Sequence, residues 1–144
     1  MLVGDIEAMN AYMNRISMRI FSYFDVGKKS SKMLEPERFY HGFVLGLLVE
    51  LIDRYEIKSN RESGFGRYDV MLRPRNVEKD KAIIMEFKVI SPKKEKSLEE
   101  TAQNALEQIK EKNYKEELIE AGISENNIKA YGFAFEGKNV LILD

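Results

Sequence analysis

Residues 60–89, NRESGFGRYDVMLRPRNVEKDKAIIMEFKV, decide the fold because they hold two strand patterns with charged residues set inside them. Asp69 lies in the first pattern, and Glu86 and Lys88 lie two residues apart in the second, which is otherwise apolar. An interior strand rarely carries an acid and a base on one face unless they are paired or used. The stretch therefore predicts a pair of strands that carries a functional site.

The composition suits a single globular domain. The chain has 144 residues, of which 44% are hydrophobic and 33% are charged, so it is long enough to bury a core. No apolar run is long enough to span a membrane, and the first ten residues lack a signal-peptide pattern. The absence of cysteine excludes disulfides and fits a reducing, cytoplasmic compartment, and the single histidine argues against a histidine-rich zinc site.

The charge balance argues against a broad DNA-binding surface. The 23 basic and 24 acidic residues give a net charge of −1, whereas a protein that holds duplex DNA through a basic face is usually more positive. A local basic patch is compatible with this balance, and so is a partner that delivers the substrate.

The N-terminal part of the chain reads as a helical extension. Apolar residues at steps of three and four predict an amphipathic helix over residues 5–24, capped by Asp5. The polar segment 22–37 then reads as a loop that joins this helix to the main body. We therefore divide the chain into an extension, residues 1–33, and a main domain, residues 34–144.

A second helix is predicted over residues 36–55. Pro36 suits the first turn of a helix, and the middle of the segment is apolar almost all round, which predicts burial on more than one side. Gly42 and Gly46 lie four residues apart on one face, where small residues would permit close packing.

Strand patterns and a third helix complete the fold. The helix is predicted over residues 97–120, where Ser97 and Glu100 form a capping box. Three consecutive strands indicate an antiparallel meander, and the helix before the fourth strand indicates a crossover. The expected fold class is therefore mixed α/β (α+β), with a mixed central sheet of four to five strands flanked by helices. The five strand patterns cover residues 56–61, 67–72, 82–90, 128–135 and 139–143.

The charged residues suit phosphodiester hydrolysis. Side chains two apart in a strand project the same way, roughly 6.5 Å apart, and antiparallel pairing would bring Asp69 beside Glu86 and Lys88. Two carboxylates and the backbone carbonyl of Phe87 suit a hard cation such as Mg²⁺, with Mn²⁺ as a substitute. Lys88 would orient or activate the attacking water. By spacing alone, however, ordinary ion pairs among Asp69, Lys88 and Arg67 at a sheet end are the better explanation.

Five segments in order carry a resemblance that is more specific than this spacing. Together they resemble a bacterial and archaeal family within the PD-(D/E)xK nuclease superfamily, whose fold is restriction-endonuclease-like. The resemblance spans the chain from Gly4 onward. Members of that family usually carry this domain behind an AAA-ATPase-like domain, which is therefore an expected partner. The segments are ERFYHGFVLGLL, SNRESGFGRYDVMLRP, AIIMEFKV, ALEQIKEKNY and YGFAFEGKNV.

The resemblance implies Asp69 and Glu86 as metal ligands and Lys88 as the catalytic lysine. Tyr68 stands where the superfamily motif has proline, at a position that varies widely. Glu37 best matches the acid of the superfamily's first helix, and a helix N-terminal acid favoured by the dipole is an equal alternative. Gln108 matches a glutamine often found on the helix that follows the Glu-x-Lys strand, with an exposed helical glutamine as the alternative.

The leading hypothesis is a Mg²⁺-dependent nuclease domain that cleaves DNA. The main alternative is a nuclease-fold module that binds nucleic acid or protein without cutting by itself. A phosphodiesterase that acts on RNA cannot be separated from the first by sequence. A homodimer is a further expectation, since the broad apolar face of the first helix predicts docking on this chain or on a second copy.

Overall fold

The first helix, α1, spans Ile6–Ile20 and begins at Asp5, whose carboxylate accepts a 2.9 Å hydrogen bond from the Ala8 N–H. The computed structural model describes residues 4–21, 34–63 and 66–144, with the backbone alone described at 34–36, 60–63, 67 and 68. The backbone of Phe21, which follows α1 directly, is already extended. The helix therefore ends before residue 24, where the sequence predicted its end, and most of the predicted 22–37 loop lies outside the described residues.

The second helix, α2, spans Leu34–Leu48 and continues as a short 3-10 turn, Val49–Leu51. The sequence prediction ran to Tyr55 and was too long. Tyr55 instead opens the first strand and pairs with Pro74, because partners in a sheet override the local helical preference of an apolar segment.

The third helix, α3, spans Leu98–Glu111, and Ser97 caps it through a 3.2 Å bond from the Glu100 N–H. The prediction of a helix to residue 120 was wrong because Asn113 adopts a positive φ of 52°, a conformation that interrupts a right-handed helix. The chain resumes as a short helix, α4, over Glu116–Glu120.

Five strands form one mixed sheet, as the sequence predicted. They lie in chain order, with β1–β2–β3 antiparallel, β3–β4 parallel across the α3 crossover, and β4–β5 antiparallel. The strands are β1 (Tyr55–Ser63), β2 (Gly66–Pro74), β3 (Ala82–Val89), β4 (Ile128–Glu136) and β5 (Asn139–Leu143).

Each face of the sheet packs against helices. On β3, Ile83, Met85 and Phe87 face the core under α1 and α2, while Ala82 and Ile84 face the core under α3 and α4. Because side chains alternate along a strand, Glu86 and Lys88 continue the α3 side. No helix within the described ranges is long and apolar enough to cross a bilayer.

Glycine has opposite roles in a strand and in a helix here. A Cβ on Gly132 of β4 would lie 2.3 Å from the Ala102 carbonyl oxygen, so glycine is what lets α3 approach the sheet. Gly42 and Gly46 are exposed, and a Cβ on either would meet nothing within 4 Å. The predicted close packing at these two glycines is therefore wrong.

Helix α1 docks on this chain along the edge strand β5. Asn14 donates to the Val140 carbonyl at 2.7 Å and accepts from the Val140 N–H at 2.9 Å. Asn10 makes the same pair of bonds with Ile142, at 2.9 and 2.8 Å. Two side-chain amides thus take the place of a sixth strand and satisfy the outward backbone groups of the edge.

Candidate active site

The candidate site lies where β2 and β3 part. In the described backbone, the ladder between these strands ends at the pair Val70 and Met85. Beyond this point the Asp69 carboxylate replaces the ladder, since its Oδ2 accepts a 2.8 Å hydrogen bond from the Phe87 N–H. The Phe87 N–H and the Asp69 carboxylate therefore lie together where the strands part. We call this site, formed by Asp69 of β2 and residues 86–88 of β3, the fork.

Asp69 and Glu86 point to the same face of the sheet. Met71 and Ile84 both belong to the core under α3, Asp69 lies two residues before the former, and Glu86 lies two after the latter. Strand alternation therefore places both carboxylates on the α3 side. Carboxylates on opposite faces could not have shared one cation.

Gln108 of α3 joins the two charged residues of β3. The Lys88 ammonium donates to Gln108 Oε1 at 2.7 Å, and Gln108 Nε2 makes a short hydrogen bond to Glu86 Oε1. A cation on one side and a carboxylate on the other fix the orientation of the amide. Lys88 thus donates to a neutral amide rather than to one of the carboxylates.

Glu86 is buried with an incomplete set of partners. Its side chain is 4% exposed, and Oε2 has no hydrogen-bond partner among the described residues. Burial, and then the negative charge of Asp69, raise the pKa of Glu86 to about 8, against a smaller lowering by Lys88. A buried carboxylate with an orphaned oxygen is suited to take up a proton or a cation.

The other two acids share this field. Burial raises the pKa of Asp69, and the Phe87 N–H and the Lys88 charge oppose the rise. Burial and then the charge of Asp69 raise the pKa of Glu37, which Lys88 also influences in the opposite direction. The structure therefore brings Glu37, in the first turns of α2, within electrostatic reach of the fork.

His41 connects α2 to the strand that carries Asp69. Its Nε2 lies 2.9 Å from Ser59 Oγ on β1. Burial lowers the pKa of His41, against smaller rises from the charge of Glu37 and from a hydrogen bond with the Asp69 backbone. Its ring packs 5.6 Å from that of Phe87. His41 therefore supports the fork from the opposite face of the sheet.

Two more residues border the site: Glu95, which sequence reasoning missed, and Tyr114 of the segment ALEQIKEKNY, which it interpreted mainly as a packing residue. Glu95 accepts from the Ser91 N–H at 2.8 Å and from Asn104 Nδ2 at 3.0 Å, and the charge of Lys88 helps these bonds to hold its pKa below the usual value. Tyr114, 1% exposed, places its hydroxyl 3.4 Å from Gln108 Nε2. Glu95 lies in a lysine-rich loop, and the sequence pattern of that loop does not mark it as a site residue. Its contact with Asn104 becomes evident only in the fold.

The donor set at the fork fits a hard divalent cation. Asp69 and Glu86 supply carboxylate oxygens, and Oε2 of Glu86 has no partner in the described part of the chain. No cysteine or second histidine is present in the sequence. Across the described ranges, no three His, Asp or Glu side chains converge into a complete metal cage. Two carboxylates with water in the remaining positions are how proteins usually hold Mg²⁺.

Comparison with known proteins identifies a family for most of the chain. A family model described as PD-(D/E)XK nuclease superfamily matches residues 35–144. No curated protein matches the chain. The matched range begins within α2 and includes the whole sheet and the fork.

Proposed function

This chain belongs to the PD-(D/E)XK nuclease superfamily, and from that premise we propose that residues 34–144 form a metal-dependent nuclease domain that hydrolyses phosphodiester bonds of DNA. The observation that carries the proposal is the connected set at the fork. Asp69 and Glu86 share one face, and Gln108 bridges Glu86 to Lys88. This arrangement would place a cation site and an ammonium donor side by side.

The cation site would consist of Asp69, Glu86 and the Phe87 carbonyl. In a strand, the N–H and C=O of one residue point to the same side, so the Phe87 carbonyl faces the fork together with the N–H that Asp69 accepts. PD-(D/E)XK nucleases generally use divalent metals, and we propose Mg²⁺, with Mn²⁺ as a substitute. A bound cation supplies Lewis-acid stabilisation of charge on phosphate and lowers the pKa of water.

The protein groups orient the reactants. Lys88 would donate to the attacking water or to a non-bridging phosphate oxygen, and Gln108 holds its ammonium 2.7 Å from the amide oxygen so that little rotamer freedom is lost. Glu86 would release its proton as the cation binds. Glu37 would accept a hydrogen bond from a water at the same site, while His41 positions the Asp69 strand.

A cleavage assay tests the proposal. Wild-type protein is incubated with single- and double-stranded DNA and RNA in Mg²⁺, Mn²⁺ or EDTA, beside Asp69→Ala and Lys88→Ala. We expect divalent-cation-dependent cleavage of DNA that falls at least 100-fold in both variants. The matched controls Asp53→Ala and Lys110→Ala remove exposed residues of the same charge and should leave the rate unchanged. Cleavage that survives both site substitutions would contradict the proposal.

A non-cleaving binding module is the second candidate. The net charge of −1 favours it, because such a chain attracts nucleic acid weakly and would depend on an assembly, such as one with an AAA-ATPase-like domain, for substrate. The same assay separates the two candidates. Absence of cleavage of every substrate by folded protein would favour the module over the nuclease.

A further inference from the structure

The turn that ends α3 brings a buried tyrosine close to the fork. The helix ends at Glu111, and Asn113 adopts the left-handed φ of 52°. The Asn113 N–H donates to the Lys110 carbonyl at 3.1 Å. The Tyr114 N–H donates to the Ile109 carbonyl at 3.3 Å. These two bonds define a Schellman motif, with asparagine at the position that usually holds glycine.

This motif determines where Tyr114 lies. The residue that follows the left-handed one usually packs against the third and fourth residues from the end of the helix, which here are Ile109 and Gln108. Tyr114 is 1% exposed and belongs to the core under α3. Its hydroxyl lies 3.4 Å from Gln108 Nε2. The end of α3 therefore places a phenol on the amide that bridges Glu86 and Lys88.

The hydrogen bonds described for the Gln108 side chain use both hydrogens of its amide. Oε1 accepts from Lys88, while Nε2 donates to Glu86 and to Tyr114. A primary amide has two N–H donors, so each has an acceptor. The bond to Tyr114 is the longest of the three and has a neutral acceptor, which makes it the weakest. Its loss should therefore change the site moderately rather than destroy it.

Strand β2 borders the same hydroxyl from the other side. A Cβ on Gly66, three residues before Asp69, would lie 3.0 Å from the Tyr114 hydroxyl oxygen and 3.1 Å from Lys112 Cγ. Both distances are shorter than the 3.4–4 Å of ordinary van der Waals contact. Glycine at the start of β2 thus permits the close approach of the hydroxyl. The hydroxyl lies between the strand that carries Asp69 and the helix that carries Gln108.

Tyr114 offers Gln108 Nε2 an acceptor for which no cation competes. Glu86, the other acceptor, is also a proposed cation ligand, so the lone pairs that it gives to Gln108 are those that it would give to a cation. A neutral phenol has no such second use. We propose that Tyr114 is a positioning residue, whose hydroxyl fixes the Gln108 amide so that Gln108 fixes the Lys88 ammonium. The role of Lys88 in cleavage rests on the proposed function.

NMR of the Gln108 side-chain amide, in EDTA, tests this placement without cation or substrate. Tyr114→Phe removes the hydroxyl and keeps the buried ring, so circular dichroism should show a folded protein. We expect the Gln108 side-chain resonances to shift and one N–H to exchange with water roughly tenfold faster, because its acceptor is lost. The control Tyr131→Phe removes the hydroxyl of a buried tyrosine on the opposite face of the sheet and should leave the Gln108 amide unchanged.

Cleavage kinetics of the same variants test the link to the reaction. At saturating Mg²⁺ we expect Tyr114→Phe to lower kcat for DNA roughly tenfold and to leave KM unchanged, because a buried hydroxyl acts through Gln108 and does not touch the substrate. Tyr131→Phe should keep both constants.

The two readouts separate this proposal from the proposed function. An unmoved Gln108 amide in Tyr114→Phe would overturn the positioning role, as would an unchanged kcat in a protein that cleaves DNA. A wild type that cleaves no substrate would overturn the nuclease function instead. The amide resonances would then still decide whether Tyr114 holds Gln108.

Discussion

Glu86 is the residue whose position is hardest to explain as ordinary packing. It is nearly fully buried, one of its oxygens has no partner among the residues that the structure describes, and its amide contact to Gln108 links it to Lys88. A carboxylate placed in this way lowers the stability of the ionised protein. Such a cost is common where a group is needed for function.

The raised pKa of Glu86 makes stability depend on pH. Its pKa is about 8 in the native protein and 4.5 as an ordinary carboxyl, so the native state binds more protons between these values and its stability falls as pH rises. Glu86→Gln removes the charge. In EDTA we expect it to stabilise the protein at pH 8 by on the order of 2 kcal/mol. This is less than the pKa difference of Glu86 alone would give, because Asp69 titrates together with Glu86.

Urea unfolding at pH 5 and pH 8 measures this effect. At pH 5 the wild-type carboxyl is already protonated, so the two proteins should differ little. Equal stability of wild type and Glu86→Gln at pH 8 would show that the native protein does not disfavour the ionised form of Glu86.

At the scale of elements, most of the strands and their pairing follow from apolar alternation and element order, but the contacts that the helices make with the sheet do not. The pattern around Ala82–Val89 predicts a buried strand and places Glu86 and Lys88 on one face. The sequence cannot reveal that Asn10 and Asn14 lie against β5, because isolated asparagines on a helix have no signature until the edge strand beside them is known. The end of α2 was predicted too late because the strand partner of Tyr55 is distant in sequence. Tyr55 pairs with Pro74 in the sheet and so belongs to β1.

The asparagine contacts of α1 predict a specific loss of edge protection. Asn10→Ala with Asn14→Ala removes four hydrogen bonds to Val140 and Ile142. We expect about 2–4 kcal/mol lower stability, at roughly 1 kcal/mol per bond. Hydrogen exchange of the Val140 and Ile142 amides should accelerate most. Met18→Ala, at an exposed position of the same helix, should change neither quantity, and unaltered exchange in the double variant would refute the edge role.

The glycines of β4 and α2 predict opposite responses to alanine. Gly132→Ala places a Cβ 2.3 Å from the Ala102 carbonyl and should cost about 3 kcal/mol, because the backbone of α3 must move. Gly46→Ala meets nothing within 4 Å and should stabilise the protein by about 1 kcal/mol through helix propensity. Thermal unfolding compares the two, and a tolerated Gly132→Ala would mean that α3 is free to shift.

At the scale of the whole molecule, the two ends of the sheet carry different charged residues. The fork holds acids with one lysine, where β2 and β3 part. At the other end, where β3 and β4 begin, a cavity is lined by Arg54, Lys79, Lys81 and Lys129. The residues of the fork could be proposed from sequence because Asp69, Glu86 and Lys88 interrupt apolar strands. The cavity could not, because Lys79 and Lys81 belong to a polar turn whose neighbours come from distant parts of the chain.

We propose that the fork is a metal-dependent nuclease centre. The most direct test is the first-order rate constant for DNA cleavage in Mg²⁺ at pH 8, for wild type and Glu86→Gln. We expect the variant, although the more stable protein in EDTA, to cleave at least 1,000-fold more slowly, because one cation ligand is lost. Cleavage by Glu86→Gln at the wild-type rate would contradict it.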